Sequence, residues 1–154
     1  GAIANVTIGP NLRQRQNIDA IAARGLEVAA GIERGALRFD GSLAYTKARA
    51  RGSGAAVLLD GKRPAQTPRW AASATVEWRP AARARAALTL RHVGAQFEDD
   101  LESDILPSAT TLDGFATLPL GGGLSLVVRA ENLTDTTIVT RNQGGSIDLG
   151  APRT

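Results

Sequence analysis

The sequence contains no cysteine and no methionine, and its aromatic residues are only two Trp, one Tyr and three Phe. Without cysteine the chain has no disulfide framework and no thiolate metal site, and the redox compartment stays open. The single histidine, His92, has no second nitrogen or sulfur partner for a zinc site, so we expect it to have a structural role near a strand end. The few, scattered aromatics cannot form stacking platforms for nucleic-acid bases.

Long apolar runs and runs of one charge are also missing. No apolar stretch approaches the ~20 residues of a transmembrane helix, so strands must carry any membrane role. The 18 Lys and Arg residues outnumber the 15 Asp and Glu residues. The arginines are spread singly, whereas a nucleic-acid interface needs them clustered on one face. We therefore expect no nucleic-acid partner.

Period-2 alternation is the strongest pattern in the chain. Successive side chains of a strand point to opposite faces, so segment 70–79 has an apolar face with both tryptophans and a polar face with Glu77 and Arg79. Trp70 and Trp78 are about 26 Å apart at ~3.3 Å per residue, close to the ~25 Å apolar band of a membrane barrel. Besides Trp70–Arg79, the predicted strands are Ala2–Ile8, Ile18–Ile32, Ala36–Lys47, Arg83–Phe97, Thr110–Leu120, Leu124–Glu131 and Thr136–Thr140.

Two alanine-rich segments also allow a helical interpretation. Alanine is a good helix former and is depleted in strands, which makes Ile18–Ala30 and Ala81–Leu88 ambiguous. We favour strands, because the alternating segments come in pairs separated by tight turns. The sequence therefore predicts an all-β fold.

The connections between the predicted strands alternate in length along the chain. An antiparallel up-and-down sheet with short turns at one end and long loops at the other fits this order. Outer-membrane barrels have that asymmetry, with short periplasmic turns and long extracellular loops. The short connections are Glu33–Gly35, Arg79–Ala82 and Gly121–Gly123, and the long ones are Gly9–Asn17, Arg49–Pro68, Glu98–Ala109 and the segment after Asn132.

Solvation assigns the two faces of such a sheet. A spanning strand turns apolar side chains to lipid, while its backbone groups pair with neighbouring strands. We expect the face with Trp70 and Trp78 to meet lipid, and the face with Arg38, Glu77 and Arg129 to line a polar interior.

An acidic loop is the main candidate for ligand contact. Hard cations prefer such oxygens, but the spacing lacks the order of an EF-hand, and we favour a solvated extracellular loop. It can still contact a polar or cationic ligand. The candidate contacts are Gln96, Asp99, Asp100, Glu102 and Asp104.

No catalytic constellation, metal site or cofactor site emerges from the sequence. The glycine runs Gly52–Gly54 and Gly121–Gly123 do not precede a helix and lack the lysine of a phosphate-binding loop. No Ser-His-Asp arrangement can be argued from spacing. An enzyme is therefore the least supported class.

Five stretches together resemble the C-terminal barrel of TonB-dependent outer-membrane receptors. They follow one another over nearly the whole chain, and the asparagine-leucine-x-aspartate element after a strand is the most specific. The stretches are Gln16–Asp19 leading to Gly25–Glu27, Gly61–Pro64 followed by Thr67–Trp70, His92–Asp100, Ala130–Asp135 and Gly150–Arg153.

The resemblance implies a segment of a larger barrel. The family has 22 strands around an N-terminal plug domain, binds a scarce nutrient such as a siderophore or cobalamin, and imports it with energy from the TonB–ExbB–ExbD complex. We expect residues 1–154 to hold about seven or eight strands of the C-terminal part of the barrel, without the plug and without the closing strand. The implied partners are outer-membrane lipid, the plug of the same full-length chain, the TonB complex and a small nutrient.

Two other architectures remain open at this point. A small, complete eight-stranded barrel fits the length and strand count. A soluble β-sandwich binding module would bury the apolar rows against a second layer. Either would replace the receptor interpretation.

Overall fold

The computed structural model describes residues 2–10, 12–81 and 84–154. Nearly all of the regular structure is strand, and a short 3-10 helix spans Gly54–Leu59. The strands are β1 (Ala2–Gly9), β2 (Leu12–Ile18), β3 (Ala20–Arg34), β4 (Leu37–Arg51), β5 (Trp70–Ala81), β6 (Ala84–Val93), β7 (Gln96–Phe97), β8 (Ile105–Leu106), β9 (Ala109–Gly121), β10 (Leu124–Ala130), β11 (Val139–Gln143) and β12 (Ser146–Leu149).

Six strands form one antiparallel sheet in the spatial order β3-β4-β5-β6-β9-β10. Each strand pairs with the next sheet strand along the chain, which is an up-and-down arrangement. The remaining strands form three two-stranded ribbons, β1–β2, β7–β8 and β11–β12. The prediction of an all-β segment of antiparallel barrel strands is confirmed, and none of the described residues of the two alanine-rich segments is helical.

The two ends of the sheet differ as the connection lengths predict, but the predicted long connection Gly9–Asn17 is wrong, because Leu12–Ile18 forms β2 and pairs with β1. Residues Gly35–Ala36 and Gly122–Gly123 make short turns at one end, here named the turn end. Both Gly122 and Gly123 have positive φ, which glycine adopts without steric cost. Segments 52–69 and 94–108 and the residues after Ala130 lie at the opposite, loop end. Of the predicted short connection Arg79–Ala82, residues 79–81 belong to β5, and Ala82 lies outside the described residues.

Strand register places the apolar side chains of neighbouring strands on one face. The pairs Leu37–Trp78, Phe39–Val76 and Tyr45–Trp70 lie opposite each other across β4 and β5. No second layer among the described residues covers this apolar face, since Phe39 and Trp78 are 46% and 51% exposed. A protein in water does not normally expose so extended an apolar surface. The predicted two-faced sheet is therefore present.

Side-chain hydrogen bonds and ion pairs, within and between strands, stabilise the polar face. The hydroxyls of Ser42 and Ser73 are 2.8 Å apart. The carboxylate of Glu77 is buried, accepts a hydrogen bond from Arg79 at 2.7 Å, and pairs with Arg85. Because this face carries both signs of charge in mutual contact, it suits a polar interior.

The only continuous buried cluster of the described residues lies at the loop end. Leu59 of the 3-10 helix is 1% exposed and packs with residues of β1, β2 and β4. The cluster therefore fastens the β1–β2 ribbon onto the upper part of β4. Its members are Ala4, Val6, Ile18, Ala50, Ala56 and Leu59.

The sheet does not close on itself, because its outer strands β3 and β10 do not pair with each other. At the loop end of β10, Glu131 exchanges two backbone hydrogen bonds with Thr154, at 2.9 and 3.2 Å. The closed eight-stranded barrel and the two-layered sandwich are therefore both wrong. An open sheet matches a segment of a larger barrel.

None of the helices among the described residues is long and apolar enough to cross a membrane.

Strand boundaries differ from the predicted ones where glycine or loop contacts intervene. The predicted strand Arg83–Phe97 ends at Val93, and Gln96–Phe97 instead pairs with Ile105–Leu106. β4 runs on to Arg51, because residues 61 and 62 hydrogen-bond to Ala50. The final predicted strand lies at Val139–Gln143, in a ribbon outside the sheet.

A candidate ligand cleft at the loop end

The loops and ribbons at the loop end enclose a cleft of about 890 Å³. It lies between the β1–β2 ribbon, the two long loops and the β11–β12 ribbon. Carboxylates and amides supply most of its polar groups, which suits a ligand rich in hydrogen-bond donors or positive charge. The lining residues are Asn5, Leu12, Ala65, Gln66, Glu98, Asp99, Leu101, Asp104, Gln143 and Gly144.

Asp99 organises the acidic loop from within. Its carboxylate accepts hydrogen bonds from the backbone N–H groups of Leu101, Ser103 and Asp104 at 2.8 to 3.0 Å, and from the Ser103 hydroxyl at 2.8 Å. Burial by itself raises the pKa of Asp99, but these hydrogen bonds outweigh it and hold the pKa below its ordinary value. Asp99 is therefore ionised at neutral pH, and the loop satisfies its charge.

Asp100 and Glu102 connect this loop to its neighbours. Asp100 accepts hydrogen bonds from the backbone N–H of Asn5 at 3.1 Å and of Ala65 at 2.9 Å. Glu102 accepts one from the backbone N–H of Arg63 at 2.8 Å. These two carboxylates hold the β1–β2 ribbon and segment 52–69 against the acidic loop.

Arg63, in segment 52–69, contacts the residues that precede the acidic loop. Its guanidinium lies 4.9 Å from the centre of the Phe97 ring and donates to the Ala95 carbonyl at 3.3 Å. Burial, followed by the nearby charge of Arg69, lowers the pKa of Arg63. Such a cation–aromatic contact stabilises the base of the loop.

The five sequence-predicted contact residues have different positions. Asp99 and Asp104 line the cleft, and Asp104 also accepts a hydrogen bond from the Gly144 N–H at 3.3 Å. Asp100 and Glu102 join loops, and Gln96 pairs with Leu106 in the β7–β8 ribbon. The structure thus brings all five into one loop cluster. Asp99 and Asp104 border the cleft, but both carboxylate oxygens of Asp99 bind groups of its own loop.

Sequence reasoning did not select the amides that line the cleft. Asn5, Gln66 and Gln143 come from three separate segments, so no local pattern joins them. Glu98 also lines the cleft, and its place in the acidic stretch of the sequence could have indicated it. Its backbone N–H donates to the Asp104 carbonyl at 2.9 Å, which closes the loop.

The asparagine-leucine-x-aspartate element has a structural role after β10. Asn132 is 4% exposed and has a positive φ of 51°. Its amide accepts a hydrogen bond from the Thr136 N–H at 2.9 Å and donates to the carbonyls of Thr136 and Ala151. The side chain therefore closes the tight turn and ties it to residues that follow β12.

His92 lies on the apolar face of β6, opposite Ala72. Its Nδ1 is 2.8 Å from the Thr110 hydroxyl on β9. This cross-strand contact agrees with a structural role. Within residues 2–10, 12–81 and 84–154, no group of three or more His, Cys, Asp or Glu side chains is placed to hold a metal ion.

Several solved structures have a similar fold. The siderophore receptor PiuA from Acinetobacter baumannii matches with a TM-score of 0.75 at 15% identity, over 97% of this chain and 22% of that one. The ferric yersiniabactin uptake receptor FyuA from Yersinia pestis gives 0.77 at 19% identity, over 91% and 23%. The ferric preacinetobactin receptor BauA from A. baumannii gives 0.70 at 22% identity, over 96% and 23%. The chain spans under a quarter of the length of these receptors.

Comparison of the sequence places the family. None of the curated proteins compared matches this chain. The sequence model of the family described as TonB dependent receptor-like, beta-barrel matches residues 1–133, which is most of the chain. The open, two-faced sheet, its sorted loops and this match agree with one another, and the chain belongs to the TonB-dependent receptor β-barrel family.

Proposed function

We propose that this chain is the C-terminal part of the barrel of an outer-membrane receptor that binds a scarce nutrient and imports it with energy from the TonB complex. Membership of the family supports a role in uptake. The family and the named structures are receptors rather than enzymes, and we propose no catalytic activity.

The uncovered apolar face is the observation that carries this proposal. It runs from the Tyr45–Trp70 pair, with ring centroids 4.6 Å apart, to Trp78 at the turn end. Aromatic side chains at both edges of an apolar band are typical of barrels that span an outer membrane. All backbone groups along the four inner strands of the sheet can pair with neighbours, which a lipid environment requires.

The cleft supports a small polar nutrient as the ligand. The three structures compared above are described as siderophore, ferric yersiniabactin and ferric preacinetobactin receptors. We propose an iron–siderophore complex, or a nutrient of comparable size such as cobalamin. Glu98 and Asp104 would contact its polar or cationic groups, and Gln96, Asp99, Asp100 and Glu102 would position the loops.

The polar face supports contact with the plug domain of the same full-length chain. Arg38 forms a bidentate pair with Asp40 at 2.7 and 2.9 Å, and still exposes 46% of its side chain. Arg129 lies 3.7 Å from Glu131 and is also exposed. Arg38 and Arg129 would meet polar groups of a plug, and the buried Glu77 would hold Arg79 and Arg85 on the same face. The TonB–ExbB–ExbD complex would act through the N-terminal part of the receptor.

An uptake experiment tests the proposal in cells. A strain without its own iron receptors would express the full receptor, in the presence or absence of TonB, and receive radioactive iron on a panel of siderophores or labelled cobalamin. We expect uptake of at least one compound only when TonB is present. No uptake of any of these compounds by correctly inserted receptor would contradict the proposal.

A pair of variants tests the cleft. Glu98→Ala with Asp104→Ala should weaken ligand binding at least about tenfold, because even one hydrogen bond to a charged group contributes about 1.5–3 kcal/mol and about 1.4 kcal/mol is a tenfold change. Glu131→Ala with Asp135→Ala removes the same charge outside the cleft lining, where each acid has only a long ion pair of 3.7 or 3.9 Å. Equal loss of affinity in both double variants would contradict the cleft as the binding site.

A further inference from the structure

A group of basic side chains lies on the apolar face just beyond the aromatic pair. Side chains at Tyr45, Lys47, Arg49 and Arg51 share one face of β4, because the β3–β4 register is unbroken along these strands. Arg24 lies directly opposite Lys47 on β3, and Leu26 lies opposite Tyr45. We name Arg24, Lys47, Arg49 and Arg51 the outer basic cluster.

The loops do not cover this cluster. Ala48 and Ala50, which point to the other side of β4, are buried at 5% and 6% exposure, and Ala50 belongs to the loop-end cluster of Leu59. Arg24, Lys47 and Arg51 are exposed, and Arg49 is half-buried. The upper part of β4 therefore turns one side into the loops and the other, cationic side outward.

No acidic side chain in the described part of the chain forms an ion pair with the cluster. None of the ion pairs among the described residues includes any of its four members. The neighbouring acids are engaged elsewhere: Asp19 accepts from the Ser53 hydroxyl at 3.1 Å, and Asp60 from the Gly52 N–H at 3.3 Å. Glu27 lies opposite Ala44, on the polar face.

Like charges placed directly opposite each other on a sheet are destabilising unless an anion lies between them. Arg24 and Lys47 have this relationship, and Arg49 follows Lys47 about 7 Å further along the strand. The spacing and the single sign of charge suit an anion that carries more than one phosphate. Arginine pairs with phosphate oxygens in bidentate fashion, and lysine binds them as a point charge.

We propose that the outer basic cluster binds the phosphate groups of an outer-leaflet glycolipid whose acyl chains pack on the apolar face below. The inference rests on the outer-membrane placement proposed above. The Tyr45–Trp70 pair marks the edge of the hydrocarbon, and the cations begin at the next outward position of β4. Lipid phosphates lie at this depth, and basic residues next to the hydrocarbon attract anionic headgroups.

Lipid binding by the full receptor in nanodiscs tests the inference. The probes are lipid A, the same glycolipid without its phosphates, and inorganic phosphate, with bound lipid counted by native mass spectrometry. We expect the wild type to retain lipid A in preference to the dephosphorylated lipid. Arg24→Gln with Lys47→Gln should weaken that retention roughly tenfold, since each basic residue near an anionic surface contributes to binding.

A matched control separates the cluster from general charge. Arg141→Gln with Arg153→Gln removes the same charge at exposed positions outside the cluster and should leave lipid A retention unchanged. Arg49→Gln with Arg51→Gln provides a second cluster variant if the first does not fold. Equal retention in cluster and control variants, or of both glycolipids by the wild type, would overturn the inference. Displacement of lipid A by millimolar inorganic phosphate would also overturn it, in favour of a soluble anion.

The nanodisc experiment also distinguishes this inference from the proposed function. If the wild-type receptor inserts normally but does not select phosphorylated lipid, only the cluster's role is wrong. If the wild type does not insert at all, the outer-membrane placement fails and the lipid site fails with it.

Discussion

The wall of six strands and the loop end follow opposite solvation rules. In the wall, large apolar side chains such as Phe39, Trp78 and Leu126 are about half exposed, and the buried Glu77 lies on the polar face. At the loop end, Leu59 and Val6 are almost fully buried, as in a water-soluble protein. One short chain therefore contains parts built for two solvents, and the boundary between them lies near Tyr45 and Trp70.

The largest expected effect comes from placing a charge on the apolar face of the wall. Val76→Arg should lower the free energy of unfolding of the detergent-folded receptor by ~2–4 kcal/mol, the cost of arginine near the bilayer midplane. Leu126→Arg gives a second site on β10. The matched control is Thr75→Arg on the adjacent polar position, which should cost no more than ~1 kcal/mol through loss of its contact with Thr89. Equal stability of Val76→Arg and wild type would show that the faces are assigned the wrong way round.

A large-to-small substitution of a buried side chain should lower stability at the loop end and not in the wall. Leu59→Ala removes a side chain that is 1% exposed and should destabilise the loop-end cluster by about 2 kcal/mol. Hydrogen exchange of residues 50–62 would measure the effect, with no change expected in the wall. Leu58→Ala, at a position that is 63% exposed, is the control and should be near neutral. Faster exchange in β5 or β6 would show that the two parts are coupled.

A smaller, pH-dependent effect is expected in the acidic loop. The pKa of Asp99 is held below its ordinary value, so its stabilisation is complete at pH above the unfolded value of ~3.9 and is lost as pH falls through the lower folded value. Asp99→Asn should cost about 1–2 kcal/mol at neutral pH and abolish that acid dependence. Proteolysis of the loop against pH would measure both. An acid dependence that persisted in the variant would assign it to another group.

The wall was predictable because lipid and lumen impose a strict two-residue period. In β5 every second residue from Trp70 to Trp78 is apolar, and the register with β4 and β6 follows from that pattern. Even the ambiguous alanines of β3 were resolved by their pairing with β4. The local sequence and the tertiary environment agree there.

The loop end was predictable only in outline. The Leu59 cluster combines segments far apart in sequence, and the stretch Arg49–Pro68 has no period that separates a core leucine from an exposed one. The β7–β8 ribbon has two residues in each strand, too short for any alternation to show. The cleft amides come from separate segments for the same reason. Long-range contacts, rather than local preference, determine this part.

The segment between Glu131 and Thr154 begins at the loop end of β10 and returns to the same place. Two backbone hydrogen bonds join those two residues, and the β11–β12 ribbon occupies the interval. The entropic cost of closing such an excursion rises slowly, by only about 0.6 kcal/mol for each doubling of its length. Insertions at its glycine tip, Gly144–Gly145, should therefore be tolerated at little thermodynamic expense. Changes in the length or sequence of residues 131–154 can therefore alter what the receptor recognises, while the six-stranded sheet stays unchanged.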